Sequence, residues 1–148
     1  VSTRRPRHAP GSAEIRDTCL CFHVQRAARA LARRFDAVFR SLELTHGQFS
    51  LMNALNGLGP ATMAEIAEVL AVDRTTLTAN LKPLERRGLV TLAVDPSDRR
   101  CKRVALCARG RELLGEAIPL WRRAHAEIDR ELGGSSPARL RSDLARLC

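Results

Sequence analysis

Apolar residues recur at steps of three and four near the start of the chain: Leu20, Val24, Ala27, Leu31, Phe35, Val38 and Leu42. That spacing puts them on one face of a 3.6-residue helix. It predicts one continuous helix from about Ala13 to Ser41, with Arg16, Arg26, Arg29, Arg33 and Arg40 on the opposite face. Globular helices typically run about 8–20 residues. Part of this one is therefore expected to pack on something outside its own globule.

The pattern then shortens. Thr45-His-Gly-Gln48 has the spacing of a capping box, in which the Thr hydroxyl and the Gln side chain each satisfy the other's backbone amide. Phe49, Met52 and Leu55 form the buried face behind it, stopped by Gly57, Gly59 and Pro60. Thr62-Met-Ala-Glu65 is a second capping box, leading Met63, Ile66, Ala67 and Leu70. Asp73 is the cap of a third short helix, with Leu77, Leu81 and Leu84 as its stripe, Gly88 at its end and Pro83 expected to bend it.

From Leu89 the period changes to two. Val90, Leu92 and Val94 alternate, Asp95-Pro-Ser-Asp98 is turn chemistry, and Val104 and Leu106 alternate again, so an antiparallel hairpin is predicted. Helix resumes near Ala108 and runs to about Leu132, with Leu113, Leu114, Ala117, Trp121, Ala124 and Ile128 inward and Pro119 as a kink. Gly133-Gly134 breaks it. Ser136 and Pro137 start a last helix lined by Leu140, Leu144 and Leu147. The expected class is mainly α with a small β-hairpin wing (α+β).

Two short helices, a tight turn and a basic hairpin are the parts of a winged helix-turn-helix, which sets one helix in the major groove of duplex DNA with the ribbon beside it. On the second helix the apolar side is Leu77, Leu81 and Leu84. The free side shows Arg74, Thr75, Thr76, Thr78, Ala79 and Lys82, short polar groups and bases suited to base edges and phosphates. A solvated face ordinarily carries Glu–Lys pairs rather than three threonines. At the hairpin tip, Asp98-Arg99-Arg100-Cys101-Lys102-Arg103 concentrates cations that a narrow minor groove attracts, with Asp98 expected to position an arginine. Such charges also keep an exposed strand edge from pairing, a reading that weakens beside the helix pair.

Composition narrows the alternatives. The 148 residues carry a net charge of +9, which calls for a polyanionic partner. Apolar residues make up 45% and aromatic residues 3%, so the core is aliphatic and stacking on single strands is disfavoured. A general basic protein of nucleic acids or membrane surfaces is the alternative function. No apolar run is long enough to span a membrane, and VSTRRPRHAPGS has no apolar segment behind its arginines. Residues 1–12 read as a disordered basic arm and the location as cytoplasmic. No phosphate loop or histidine–nucleophile motif suggests an enzyme, and no cofactor or resident metal is expected.

LTHGQFSLMNAL, MAEIAEVLAVDRTTLTANLKPLERRGLV and DPSDRRCKRVALCARG resemble the MarR family of winged helix-turn-helix transcriptional regulators, from roughly Cys19 to Leu114. The resemblance implies a homodimer with intertwined first and last helices, binding an inverted-repeat operator, released by a small organic effector or an oxidant. It assigns residues 13–44 and 108–148 to dimerisation and 45–107 to the DNA-binding lobe. It also makes Asp98 and Arg100 paired wing residues. Cys107 stands where the family usually has a capping threonine.

Leu20-Cys21-Phe22 resembles the reactive-cysteine segment of the organic-hydroperoxide-sensing (OhrR-type) branch. The two tyrosines that hydrogen-bond the thiolate there are replaced by Phe35 and His46. A protonated His46 would lower the thiol pKa; alternatively Cys21 is an inert small hydrophobe. Cys19 and Cys21, two apart on one helix, diverge by about 200° and could not share a metal ion without unwinding the helix. Cys19 and His23, four apart, could supply only two of the four ligands of a tetrahedral site. An organic effector would be lined by Phe35, Phe39, His46, Phe49 and Trp121.

Overall fold

The computed structural model describes residues 11–134 and 136–147. Most of the predicted basic arm, Ser135 and Cys148 lie outside them. The chain builds α1 (Ser12–Thr18), α2 (Leu20–Val38), a 3-10 turn (Arg40–Leu42), α3 (His46–Leu58), β1 (Ala61–Thr62), α4 (Met63–Leu70) and α5 (Arg74–Arg86). β2 (Val90–Val94), β3 (Lys102–Leu106), α6 (Ala108–Glu131) and α7 (Pro137–Ala145) follow.

The first helix is not continuous, contrary to the expectation from its stripe. Cys19 is extended (φ −70°, ψ 107°) and separates α1 from α2. The Thr18 hydroxyl donates to the Glu14 carbonyl at 2.7 Å, a back-bond that competes with the helical ladder just before the break. The premise that Cys19 and Cys21 share one helix therefore fails. Within the single chain only Phe35 of α2 is buried, while Leu20, Phe22 and Leu31 stay exposed.

The later helices begin at the expected caps. Gln48 N–H donates to Thr45 Oγ1 at 3.2 Å and Thr45 N–H to Gln48 Oε1 at 3.0 Å. Thr62 N–H donates to Glu65 Oε2 at 2.7 Å, and Glu65 N–H returns to Thr62 Oγ1 at 3.3 Å. Asp73 caps α5 and Ser136 caps α7. Each such cap contributes about 1 kcal/mol. Cys107 begins α6 with no side-chain cap, as a thiol should. Helices α5 and α6 run on through Pro83 and Pro119.

Phe39, Leu51, Met52, Leu55, Ile66, Leu77, Leu84, Leu89, Val104 and Leu114 are fully buried and join α2 to α6 in one core. The hairpin pairs in antiparallel register, Val90 with Leu106, Leu92 with Val104 and Val94 with Lys102. Sequence periodicity did not show β1, which pairs Ala61 with Val104 and Thr62 with Arg103, giving the order β1-β3-β2. Two residues are too short for alternation to register. Their effect is to tie the wing's inner strand to the start of α4.

Gly110 explains how closely the wing sits on α6. A Cβ there would lie 2.1 Å from the Leu89 carbonyl oxygen. That oxygen also accepts the Cys107 amide at 3.0 Å, so helix and strand meet backbone to backbone.

Candidate nucleic-acid interface

Helix α5 buries Leu77, Leu81 and Leu84 and turns Arg74, Thr75, Thr78, Ala79 and Lys82 outward around a shallow hollow of about 450 Å³. A larger cleft of about 700 Å³ lies between α5, the start of α4 and the wing. Its lining includes Arg74, Thr78 and Lys82 from α5, and Arg100, Cys101 and Lys102 from the wing. Helix and ribbon thus present their cations into one concave surface.

Two of the sequence-predicted contacts are engaged in bonds within the protein, and a third lies outside the cleft. Thr76 is exposed, but its polar groups serve the cap. Its amide donates to Asp73 Oδ1 at 2.7 Å and its hydroxyl to Asp73 Oδ2 at 2.8 Å. These bonds hold the Asp73 carboxyl below its usual range. Asp98 accepts the Arg100 backbone amide at 2.9 Å and the Cys101 thiol at 3.3 Å, so its bond to Arg100 runs through the backbone and not the guanidinium. The carboxylate beside it raises the Cys101 thiol pKa. Arg99 is exposed at the turn but does not line the cleft.

The residue that does hold an arginine is Asp95, which sequence reading treated only as turn chemistry. It is 4% exposed. It accepts the Ser97 amide at 2.8 Å, the Ser97 hydroxyl and Arg103 Nε. Arg103 also donates to the Pro60 carbonyl at 3.0 Å and lies 3.8 Å from Glu65. The Ser97 hydroxyl, the Ser97 amide and Arg103, in that order, hold the Asp95 carboxyl far below the usual range. Arg103 is therefore a brace for the wing base, and Arg99, Arg100 and Lys102 remain as the outward cations. The pairing was legible in principle. Asp95 faces Cys101 across the hairpin, which makes Arg103 its diagonal neighbour.

Away from this surface, α5 ends on Arg87, whose guanidinium donates to the Glu43 carbonyl at 2.6 Å and the Leu42 carbonyl at 3.1 Å. Arg34 joins α2 to α6 through Glu131 at 2.7 Å and Glu127 at 3.3 Å.

The proposed effector residues do gather, but as packed core. Phe39 stacks on Phe49 at 4.5 Å and on Phe35 at 5.9 Å, and all three are buried. Phe35 also meets His46 at 5.6 Å and His125 at 5.2 Å, and His125 meets the half-buried Trp121 at 4.5 Å. Burial pushes the His46 imidazole below its ordinary value, and His125 adds to this, against the opposing charge of Asp36. This direction runs against the protonated His46 on which the activation of Cys21 was conditional. Cys21 itself is exposed, with the Gln25 side-chain amide donating to its sulfur at 3.2 Å. Among the described residues no helix is long and apolar enough to cross a membrane.

Comparison with known proteins agrees with this geometry. The MarR family profile matches residues 42–100, from the 3-10 turn to the wing tip. The repressor NicR of Pseudomonas putida is 37% identical over 98 residues, which cover 64% of this chain and 62% of NicR. Of the curated relatives it matches, the chain spans about half to three-fifths of the length. The transcriptional regulator MosR of M. tuberculosis, solved in complex with DNA, is 41% identical with a TM-score of 0.77, over 87% of this chain and 92% of MosR. BpsR of Bordetella bronchiseptica, solved in work on control of its DNA binding by 6-hydroxynicotinic acid, is 27% identical with a TM-score of 0.64, over 84% of this chain and 96% of BpsR. Fold, wing and capped helix pair coincide with these likenesses: the chain belongs to the MarR family of winged helix-turn-helix transcriptional regulators.

Proposed function

We propose that this protein is a sequence-specific regulator of transcription, a repressor that binds double-stranded DNA as a homodimer and lets go on a small-molecule or oxidant signal. The observation that carries the reading is the shared cleft, in which Arg74 and Lys82 of the helix face the same space as Arg100 and Lys102 of the wing. A helix face with cations at both ends and a basic ribbon beside it can grip phosphates while the helix centre meets base edges.

Residues 45–107 form the DNA-binding lobe in this reading, and residues 13–44 and 108–148 the dimerisation region. Exposed Ile15, Leu20, Phe22 and Leu31 near one end and Leu132, Leu140 and Leu147 near the other support pairing of two chains. A twofold dimer would then read an inverted repeat with half-sites about one helical turn apart. A planar organic effector would enter beside Trp121, because the three phenylalanines are engaged with one another.

The test is to recover genomic fragments with the purified protein and titrate the best duplex at several salt concentrations. Affinity should fall steeply with salt. Arg100→Ala should weaken all duplexes alike and reduce the salt slope by about one. Binding that favours single-stranded RNA or anionic vesicles over the duplex would overturn the proposal.

A further inference from the structure

We propose that Thr78, with Ala79 beside it, reads the C5-methyl group of a thymine in the major groove, acting through its own methyl and not its hydroxyl. The inference rests on the DNA-binding reading above and names the base that the centre of α5 selects.

Arg74, Thr75, Thr78, Ala79 and Lys82 fall on one face of α5 and surround one hollow. Thr78 belongs both to that hollow and to the cleft beneath the wing. It is thus the polar-looking residue at the centre of the surface. Its hydroxyl, however, donates to the Arg74 carbonyl at 2.8 Å. The proton that would be offered to a purine N7 or O6 is already engaged within the helix. With Oγ1 bonded back along the helix, the γ-methyl is the group Thr78 has left for a base at the hollow it lines, and Ala79 adds a β-carbon at the next position. Thr76 cannot substitute, because its hydroxyl and amide both serve the Asp73 cap.

The centre of the reading face is therefore apolar. Arg74 and Lys82 bracket it, about 12 Å apart at 1.5 Å per residue, close to the width of the major groove. Of the four bases, only thymine carries a methyl on its major-groove edge, and Ala and Thr methyl groups are its ordinary apolar contacts.

The experiment uses the whole chain and its tightest genomic duplex. Each thymine is replaced singly by uracil, which removes the methyl and leaves pairing intact. We expect one position per half-site where uracil weakens binding about fourfold, the effect of one buried methyl-sized group. Thr78→Ser keeps the hydroxyl and should bind the thymine duplex about fourfold more weakly, with no further loss on uracil. Thr78→Val keeps the methyl and should retain the thymine preference, read as the ratio of thymine to uracil affinity. If Thr78→Val loses that preference while Thr78→Ser keeps it, the hydroxyl reads the base and the proposal falls. If no uracil position matters while duplex binding stays salt-dependent, methyl reading fails and the DNA-binding reading stands. If no duplex binds at any salt, both fall.

Discussion

Replacing glycine by alanine at two positions of α6 should move stability in opposite directions. Gly110→Ala places a Cβ 2.1 Å from the Leu89 carbonyl oxygen and 3.1 Å from Leu106 Cδ2. Carbon and backbone oxygen cannot approach so closely, so α6 and the start of β2 must separate by roughly 1 Å, the gap to an ordinary contact. Overpacking of this kind costs about 1–3 kcal/mol. Losing the Cys107–Leu89 backbone bond adds about 0.5–1.5 kcal/mol. Alanine's better helix propensity returns up to about 1 kcal/mol. The net is a destabilisation of about 0.5–4.5 kcal/mol, or roughly 1–18 °C in Tm for a chain this size. Gly115, in the same helix, is exposed with nothing within 4 Å of its would-be Cβ, so Gly115→Ala should keep the propensity gain and melt about 2–4 °C higher. Thermal melts by circular dichroism and urea titrations of the three proteins decide the matter. Because Leu89 runs directly into β2, Gly110→Ala should also weaken DNA binding at temperatures where it is fully folded. A Gly110→Ala protein melting at or above wild type, with Gly115→Ala stabilised as expected, would refute the close-approach argument.

Asp95→Asn should lower Tm at neutral pH and loosen the wing. Because the folded carboxyl sits below its unfolded value, its contribution is complete above about pH 4 and is lost as pH falls through the folded value, so wild type and variant should converge in acid. An equal gap at pH 7 and pH 2.5 would contradict this. His46 has the same sign by another route: burial favours the neutral ring, so its contribution is present above about pH 6.5 and is lost as pH falls through the lowered value. His46→Phe should flatten the fall in Tm between pH 7 and pH 5, and parallel curves would count against it. If the releasing signal is an oxidant acting at exposed Cys21, a gel-shift titration with an organic hydroperoxide should release wild type and leave Cys21→Ser bound; equal release would move the search to an organic effector.

Periodicity and caps carried most of the architecture. Leu77, Leu81 and Leu84, or Thr62 with Glu65, are local signals, and a helix start or a buried stripe is a local decision. The break at Cys19 was hidden because an apolar stripe reports which face is covered, not whether the backbone continues. The exposed Leu20, Ala27 and Leu31 show that in one chain the first half of that stripe largely covers nothing, while Phe35, Val38 and Leu42 pack on the core. Strand β1 was hidden for the opposite reason, being fixed by its partner in β3 and not by its own two residues.

The interface shows where local reading stops. Sequence marks which residues lie on the outer face of α5 but not what their hydroxyls are doing, and there the three threonines part company. Thr76 completes the Asp73 cap, Thr78 bonds back to Arg74, and Thr75 lines the hollow. The wing divides its charges in the same way. Arg103 turns inward to Asp95 and the Pro60 carbonyl, and Arg100 and Lys102 turn into the cleft. The inward arginine tethers the wing to the start of α4, and in the proposed DNA-binding reading the outward cations are the ones left to meet phosphate. On that reading the placing of a wing cation depends on the buried Asp95 carboxylate, which is engaged with Ser97 and Arg103. Asp95→Asn and Arg100→Ala should both lower affinity, but only Arg100→Ala removes a phosphate contact and with it about one unit of the salt slope.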